Sequence, residues 1–289
     1  MNSDHRWFEL VLESTPEQLD LLTGLLAEQG VTTSEFRKED SPQPELVVYL
    51  RASDLARAGT MSETLTASLP AGMVMASGPV EIDNDAWTDN WKNFFPRLLV
   101  GDSLEIIPPW EQPSKNRCTV VINPGLAFGT GQHATTHGCL ELLVEYLHPG
   151  DSVADVGCGS GVLALAALRL GAGRTLASDN DPVAVTTTLE NAELNSLGAS
   201  LQARVCEGPP SSGLYDLVFA NILASTLVDM QPLLTRCVAP GGRLVLSGID
   251  NERLPNVQAA FIKPGWRMLR RLQVDGWSSI AIRRQEAST

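Results

Sequence analysis

The chain is short of positive charge, of paired cysteines and of long apolar runs, and each shortage removes a class of protein. Lysine and arginine number 21 against 34 aspartates and glutamates, a formal net charge of −13. A protein that grips duplex DNA by its phosphates carries the opposite balance, so direct nucleic-acid binding is not expected. The simpler meaning of the excess is solubility. The sharper one is long-range attraction of a basic partner. The five cysteines, Cys118, Cys139, Cys158, Cys206 and Cys237, are odd in number and show no C-x-x-C spacing. That argues against a disulfide framework and a zinc site, and for a reducing compartment. "MNSDHRWFELVLES" at the N-terminus lacks a basic segment followed by an apolar one, and "GVLALAALRLGA" is broken by Arg169 and too short to span a bilayer. A cytoplasmic location with no membrane partner is the expectation.

What the chain does hold is ordinary for a globular protein: 43% hydrophobic and 19% charged residues in a length of 289. The first 82 residues read as β-α-β-β-α-β. Strands are predicted at 7–14, 31–39, 45–52 and 73–82, with helices at 15–30 and 54–70. This order is the split-βαβ, ferredoxin-like arrangement. Residues 83–100 follow as a predicted linker helix, with Trp87, Trp91 and Phe95 on one stripe that suits packing. The third expected segment, 101–289, alternates strand and helix from about Thr135 onward.

In that segment helices are predicted at 135–147, 161–170, 182–195, 223–237 and 252–262. Strands are predicted at 152–156, 174–179, 201–206, 215–221, 242–248, 266–274 and 277–284. Alternation of this kind implies a mostly parallel sheet covered on both faces. The Asp275-Gly276 pair between the last two strands signals a hairpin, hence an antiparallel edge. The fold class expected is therefore α/β, a Rossmann-like sheet, with a smaller α+β ferredoxin-like domain before it.

"VADVGCGSG" (153–161) is a strand running into a glycine loop and then a helix. Gly157, Gly159 and Gly161 permit a tight turn and close backbone approach to a ligand at the helix N-terminus. Asp179 ends the next strand at the distance expected of a carboxylate that takes ribose hydroxyls. Asp181-Pro182 then starts a helix, with Asp181 as its cap. A dinucleotide fingerprint can be forced from Gly159, Gly161 and Ala164, but it leaves Asp155 and Gly157 unexplained. A carboxylate at Asp155 would also repel a pyrophosphate. Neither "GLAFGTGQ" nor "GCGSGVLA" has the lysine of a P-loop. A ligand with ribose and adenine, an ammonium and a sulfonium, and no phosphate fits better: S-adenosylmethionine.

"FANILA" places Asn221 at the carboxyl end of a strand, where ligands bind in open α/β sheets. Its carbonyl oxygen can accept an N–H from an amine, or the residue can cap the next helix. Methyl transfer to nitrogen is an in-line displacement at the sulfonium carbon and needs a neutral amine. A lysine titrates near 10.4, so the site has to favour the neutral form. Asn221 orients but is a poor base. His133 and His137 are spaced i, i+4 with no acidic or thiol partner beside them, and no metal is expected.

Together these residues look like a class I S-adenosylmethionine methyltransferase. "NPGLAFGTGQHATT", "DVGCGSGVLALAA", "SDNDPVAV" and "FANILA" resemble the methyltransferases of large-subunit ribosomal protein eleven, the PrmA family. The resemblance is close from Trp87 to about Gly248 and covers the N-terminal segment only by layout. It implies that a ferredoxin-like domain grips the ribosomal protein and that the catalytic domain methylates its lysine and N-terminal amines. It matches Asp155, Gly157, Gly159 and Asp179 to cofactor contacts, together with the 128–135 loop and its hydroxyls at Thr130 and Thr135. It matches Asn221 to the residue that orients the amine. Phe128 would shield the methyl from water, and Thr135 or Thr136 would cap the following helix.

Two departures stand out. General amino-methyltransferases carry N-P-P-Y or D-P-P-Y where this chain has Asn221-Ile222-Leu223-Ala224, which gives a roomier pocket. "DNERLPN" after "LSGI" is more polar than the expected helix start. A small-molecule methyltransferase and a non-catalytic adenosine-nucleotide or ribosome-binding module remain as alternatives, the second disfavoured by "FANILA".

Overall fold

The computed structural model describes residues 7–13, 34–37, 45–51, 74–82, 95–123, 133–209 and 213–286. The chain divides into two compact units, Met1–Phe94 and Phe95–Thr289. In the first, β1 (Trp7–Glu13), β2 (Ser34–Arg37), β3 (Glu45–Arg51) and β4 (Val74–Ile82) form one sheet in the order β2-β3-β1-β4. All its pairings are antiparallel. This is the ferredoxin-like strand order. The helices predicted at 15–30 and 54–70, and Trp87 and Trp91, lie outside the described residues.

The second unit opens with a small sheet that the sequence pattern did not announce. Leu98–Val100 (β5) pairs antiparallel with Leu104–Ile107 (β6), which pairs parallel with Cys118–Val121 (β7). The predicted linker helix therefore does not run to residue 100. Pro96 removes a backbone donor and ends any helix before it, and the chain continues as strand. Glu105 is fully buried here. Burial alone would raise its pKa. Hydrogen bonds from the Ser114 and Thr119 hydroxyls (2.6 Å each) and the Ser114 N–H (2.7 Å), with Arg97 at 2.6 Å, outweigh it and hold the carboxyl down at about 2.

The main sheet comprises β8 (Val153–Val156), β9 (Thr175–Asp179), β10 (Leu201–Val205), β11 (Tyr215–Asn221), β12 (Val238–Asp250), β13 (Trp266–Val274) and β14 (Trp277–Arg284). Their order is β10-β9-β8-β11-β12-β14-β13. The first five strands run parallel, and β14 joins β12 antiparallel. Chain order reverses at β8, with β9 on one side and β11 on the other. In such sheets the ligand crevice opens outside the strand carboxyl ends at this point.

Alternation along each strand divides the core. Leu217 and Phe219 of β11 and Val245 of β12 face one cluster, while Val218, Ala220, Leu244 and Leu246 face the other. Helices α1 (Ala134–Tyr146) and α2 (Val162–Arg169) cover the first face. Helix α3 (Pro182–Leu194) follows β9 and contributes Ala192 to the same cluster. Helices α4 (Ala224–Asp229), α5 (Gln231–Arg236) and α6 (Leu254–Phe261) cover the second. The single helix predicted at 223–237 is broken at Met230, and Pro232 sits in the first turn of the new helix, where its missing N–H costs nothing. The polar "DNERLPN" still leads to a cover: Asp250 accepts the Arg253 N–H at 2.9 Å, and Leu254, Val257 and Phe261 are buried. Among the described residues, no helix is long and apolar enough to cross a membrane.

Candidate active site

Period-two geometry puts Asp155 on the same face of β8 as Val153, and Asn221 on the same face of β11 as Leu217 and Phe219. Both side chains thus lie near the carboxyl end of the sheet, under α1 and α2. Asp155 is 1% exposed, and its Oδ2 accepts the Ala164 N–H from the first turn of α2 at 3.3 Å. Its Oδ1 is buried without a hydrogen-bond partner among the described residues. Burial is the main force on this carboxyl and raises it to about 7. The Ala164 N–H opposes that shift, and the nearby Asp179 adds to it. Without a cation beside it, Asp155 is therefore nearly balanced between its neutral and charged forms near pH 7.

Asn221 shows the same pattern. Its Nδ2 donates to Thr136 Oγ1 at 3.2 Å, and its Oδ1 is buried without a partner among the described residues. The N-cap residue of the following helix is Leu223 and no side chain caps it, so Asn221 is not its cap. Two glycines fix its neighbour. A Cβ at Gly157, where φ is +75°, would collide with Ile222 Cγ2. A Cβ at Gly248, where φ is +78°, would collide with the Ile222 carbonyl oxygen and stand 2.8 Å from its carbon. Only glycine permits both approaches. Ile222 is held between the glycine loop and β12, and Asn221 with it.

Asp179 ends β9 as expected. Its Oδ2 accepts the Gly159 N–H at 3.0 Å and its Oδ1 the Asp181 N–H at 3.0 Å. A carboxylate keeps further lone pairs after two such bonds, so it can still accept hydroxyls. Asp181 caps α3 by accepting the Val183 N–H at 2.8 Å. Gly161 gives α2 a left-handed start at φ +80°, and the side on which it lacks a Cβ is filled by Thr188, 2.7 Å from the ideal Cβ position.

Helix α1 corrects one expectation. Its N-cap is His133, whose ring Nδ1 lies 3.3 Å from the Thr135 N–H and 2.8 Å from Thr135 Oγ1. Neither Thr135 nor Thr136 caps it. Thr135 is buried and accepts the Ser247 hydroxyl on its carbonyl at 3.0 Å, while Thr136 holds Asn221. His137 does have an acidic neighbour, Glu141 Oε1 at 3.5 Å, and the His133 ring meets Trp277 edge-on at 5.1 Å. Phe128 and Thr130 lie outside the described residues. Among the described residues, no three ligand-type side chains are grouped to hold a metal.

Other proteins share this chain's sequence and fold. The family described as ribosomal protein L11 methyltransferase (PrmA) matches residues 6–285. The protein of that name from Chloroflexus aurantiacus is 33% identical over 323 aligned residues, covering 97% of this chain and 98% of its own. The one from Azotobacter vinelandii is 36% identical over 291, covering 95% and 98%. The crystal structure of ribosomal protein L11 methylase from Lactobacillus delbrueckii subsp. bulgaricus aligns with a TM-score of 0.60 at 32% identity, over 66% of this chain and 98% of that one. On these matches, the chain belongs to the ribosomal protein L11 methyltransferase family.

Proposed function

We propose that this chain transfers methyl groups from S-adenosylmethionine to lysine and N-terminal amines of ribosomal protein L11. The observation that carries the reading is the pair of buried, partnerless acceptors, Asp155 Oδ1 and Asn221 Oδ1, on one face of the sheet near its carboxyl end. A buried acceptor without a partner costs about 1–3 kcal/mol, and a ligand offering N–H groups and positive charge removes that cost. A phosphate does not, so these acceptors fit an ammonium and sulfonium cofactor and an amine substrate.

When bound, S-adenosylmethionine supplies an electrophilic methyl. The chain's own residues orient and screen. Asp179 accepts ribose hydroxyls from the end of β9, and Asp155 offers negative charge toward the cationic end. Gly157, Gly159 and Gly161 let the loop approach, and Thr130 and Thr135 offer hydroxyls. Phe128 excludes water from the methyl. Asn221 gives its Nδ2 to Thr136, and its Oδ1 is the acceptor for one amine N–H, which aims the nitrogen lone pair. The amide does not take the proton. Burial of the amine lowers its pKa and favours the neutral nucleophile.

Residues 1–82 are the docking domain for L11 in this reading, and 83–94 connect it to the catalytic unit. The net charge of −13 speeds encounter with a basic protein, a contribution that fades with salt. The location is cytoplasmic. The test is transfer of labelled methyl into total ribosomal protein from a strain lacking the endogenous activity. Label in L11 supports the reading. Label only in small molecules favours a small-molecule methyltransferase, and cofactor binding without transfer to anything favours a binding module.

A further inference from the structure

We propose that Asn191 is a positioning residue that sets the glycine loop against Asn123, two residues past the end of β7. The proposal rests on the methyltransferase reading. Thr188, Asn191 and Asn195 are spaced i, i+3, i+7 on α3 and its C-cap, so they form one stripe. All three are buried, at 0%, 0% and 1% exposure. Asparagine is a poor helix former, and burying an amide is costly unless it is bonded. This stripe is bonded throughout, mostly to backbone groups of two particular segments. Besides these, Thr188 Oγ1 lies 3.4 Å from Cys158 Sγ, and Asn195 Nδ2 donates to Asn191 O at 2.7 Å within the helix.

The Thr188 hydroxyl donates to Gly159 O at 3.0 Å, and Asn191 Nδ2 donates to Ser160 O at 2.9 Å. Both peptide planes of the glycine loop beside α3 are thereby fixed. Asn191 Oδ1 accepts the Asn123 N–H at 2.9 Å, so one side chain joins Ser160 to the first residue of "NPGLAFGTGQHATT". Asn195 does something different. Its Oδ1 accepts the Val121 N–H at 2.8 Å and its Nδ2 donates to Val121 O at 2.6 Å, as a neighbouring strand would at the free edge of β7. It reaches no part of the glycine loop in these bonds. Satisfying β7 therefore explains Asn195, but not the bond from Asn191 to Ser160.

The test separates cofactor positioning from helix stability. Wild type, Asn191→Leu, Asn191→Asp, Asn195→Leu and Thr188→Val full-length chains are compared by melting temperature without ligand and by calorimetric S-adenosylmethionine Kd. Kd is measured where circular dichroism shows each to be folded. Amide exchange at Asn123 is followed in parallel. Asn191→Asp keeps the acceptor for Asn123 and loses the donor to Ser160, and Thr188→Val loses the bond to Gly159 and the longer contact with Cys158 Sγ at 3.4 Å. Both guard against a Leu variant that does not fold. Expected is a Kd raised about tenfold in both Asn191 variants, which share the loss of the one well-made bond to Ser160. A smaller rise is expected in Thr188→Val, and faster Asn123 exchange in Asn191→Leu. Asn195→Leu should lower the melting temperature at least as much while leaving Kd within about twofold. Unchanged Kd in folded Asn191 variants overturns the proposal, as does an equal rise in Asn195→Leu. Wild type that does not bind S-adenosylmethionine overturns the methyltransferase reading itself.

Discussion

Helix α1 lies along one face of the main sheet and meets a polar group at each of its ends, and the two ends are built on opposite principles. At its C-terminal end Arg243, 7% exposed, meets every partner within reach. It donates to Asp151 Oδ2 at 2.8 Å, to Tyr146 O at 3.0 Å and to Asp216 O at 3.0 and 3.2 Å, and it lies 2.6 Å from His148 Nδ1. The cation also faces the negative end of the helix dipole. Asp216 adds a further layer: burial pulls its pKa up, but two bonds from Ser152 and the Arg243 charge outweigh that and hold it below the usual carboxylate range. At the N-terminal end of α1, Thr136 satisfies half of the Asn221 amide, and Asp155 and Asn221 each keep a buried oxygen that no described residue bonds. The same helix thus closes one end of the sheet and leaves acceptors waiting at the other. A buried polar group left unsatisfied by the chain is completed by a ligand, an ion or a water, and at the carboxyl end of this sheet the proposed cofactor and amine are the groups that would complete it.

The sharpest way to test this contrast is to break the satisfied end. Arg243→Ala leaves Asp151 largely buried without its cation, and breaking such a pair costs about 3–5 kcal/mol. The expected outcome is that loss in denaturant unfolding, with S-adenosylmethionine Kd unchanged at a temperature where the variant is folded. A changed Kd with intact stability would erase the distinction between the two ends.

Asp179→Ala should do the reverse. Losing charged hydrogen bonds to ribose hydroxyls weakens cofactor binding by about 1.5–3 kcal/mol. The fold should persist by circular dichroism, because the Gly159 and Asp181 amides at its oxygens lie at the crevice and can turn to water. Calorimetry that finds wild-type affinity would remove Asp179 from the cofactor site.

A smaller effect follows from Asp155. Its pKa rises from 3.8 in the unfolded chain to about 7 in the folded, ligand-free one, mainly through burial. The native state therefore holds more protons than the unfolded state between these values. Ligand-free stability should fall as pH rises through this window and level off above about 7. A cationic ligand favours the carboxylate, so cofactor affinity should rise over the same span, by at most about tenfold per pH unit. Calorimetry in buffers of different ionisation heat should show a proton released on binding below pH 7. A flat profile in wild type, or one unaltered in Asp155→Asn, would assign the linkage to another group.

Much of this was legible in the chain. The hairpin strands fall at 266–274 and 277–284 as read, because Asp275-Gly276 supplies the two positive-φ residues that a tight turn needs. Asp179 and Asp181 were separable because Pro182 marks a helix start, and the structure gives the cap to Asp181. Contacts between distant positions were not legible. Arg243 and Asp151 stand 92 positions apart, and Asn221 and Thr136 85 apart. No local pattern announces such pairs. Strands of three or four residues, such as Leu98–Val100 and Leu104–Ile107, are too short to alternate, and Glu105 inside one argues against a buried strand until Arg97 and Ser114 are seen around it. One signal was available and unread: Asn191 and Asn195, one turn apart on a helix, where two poor helix formers need a reason.

The central claim is that Asn221 stays partly unsatisfied because it serves the substrate amine. The direct measurement is Asn221→Ala, assayed together for methyl transfer to ribosomal protein L11, cofactor Kd and melting temperature. The account predicts a kcat lowered about 10²-fold, the scale of a misplaced reacting group. It also predicts an unchanged Kd and a melting temperature equal to or above wild type, since a buried partnerless oxygen is removed. Full turnover in the alanine variant, or lost turnover explained by a lower melting temperature, would contradict it.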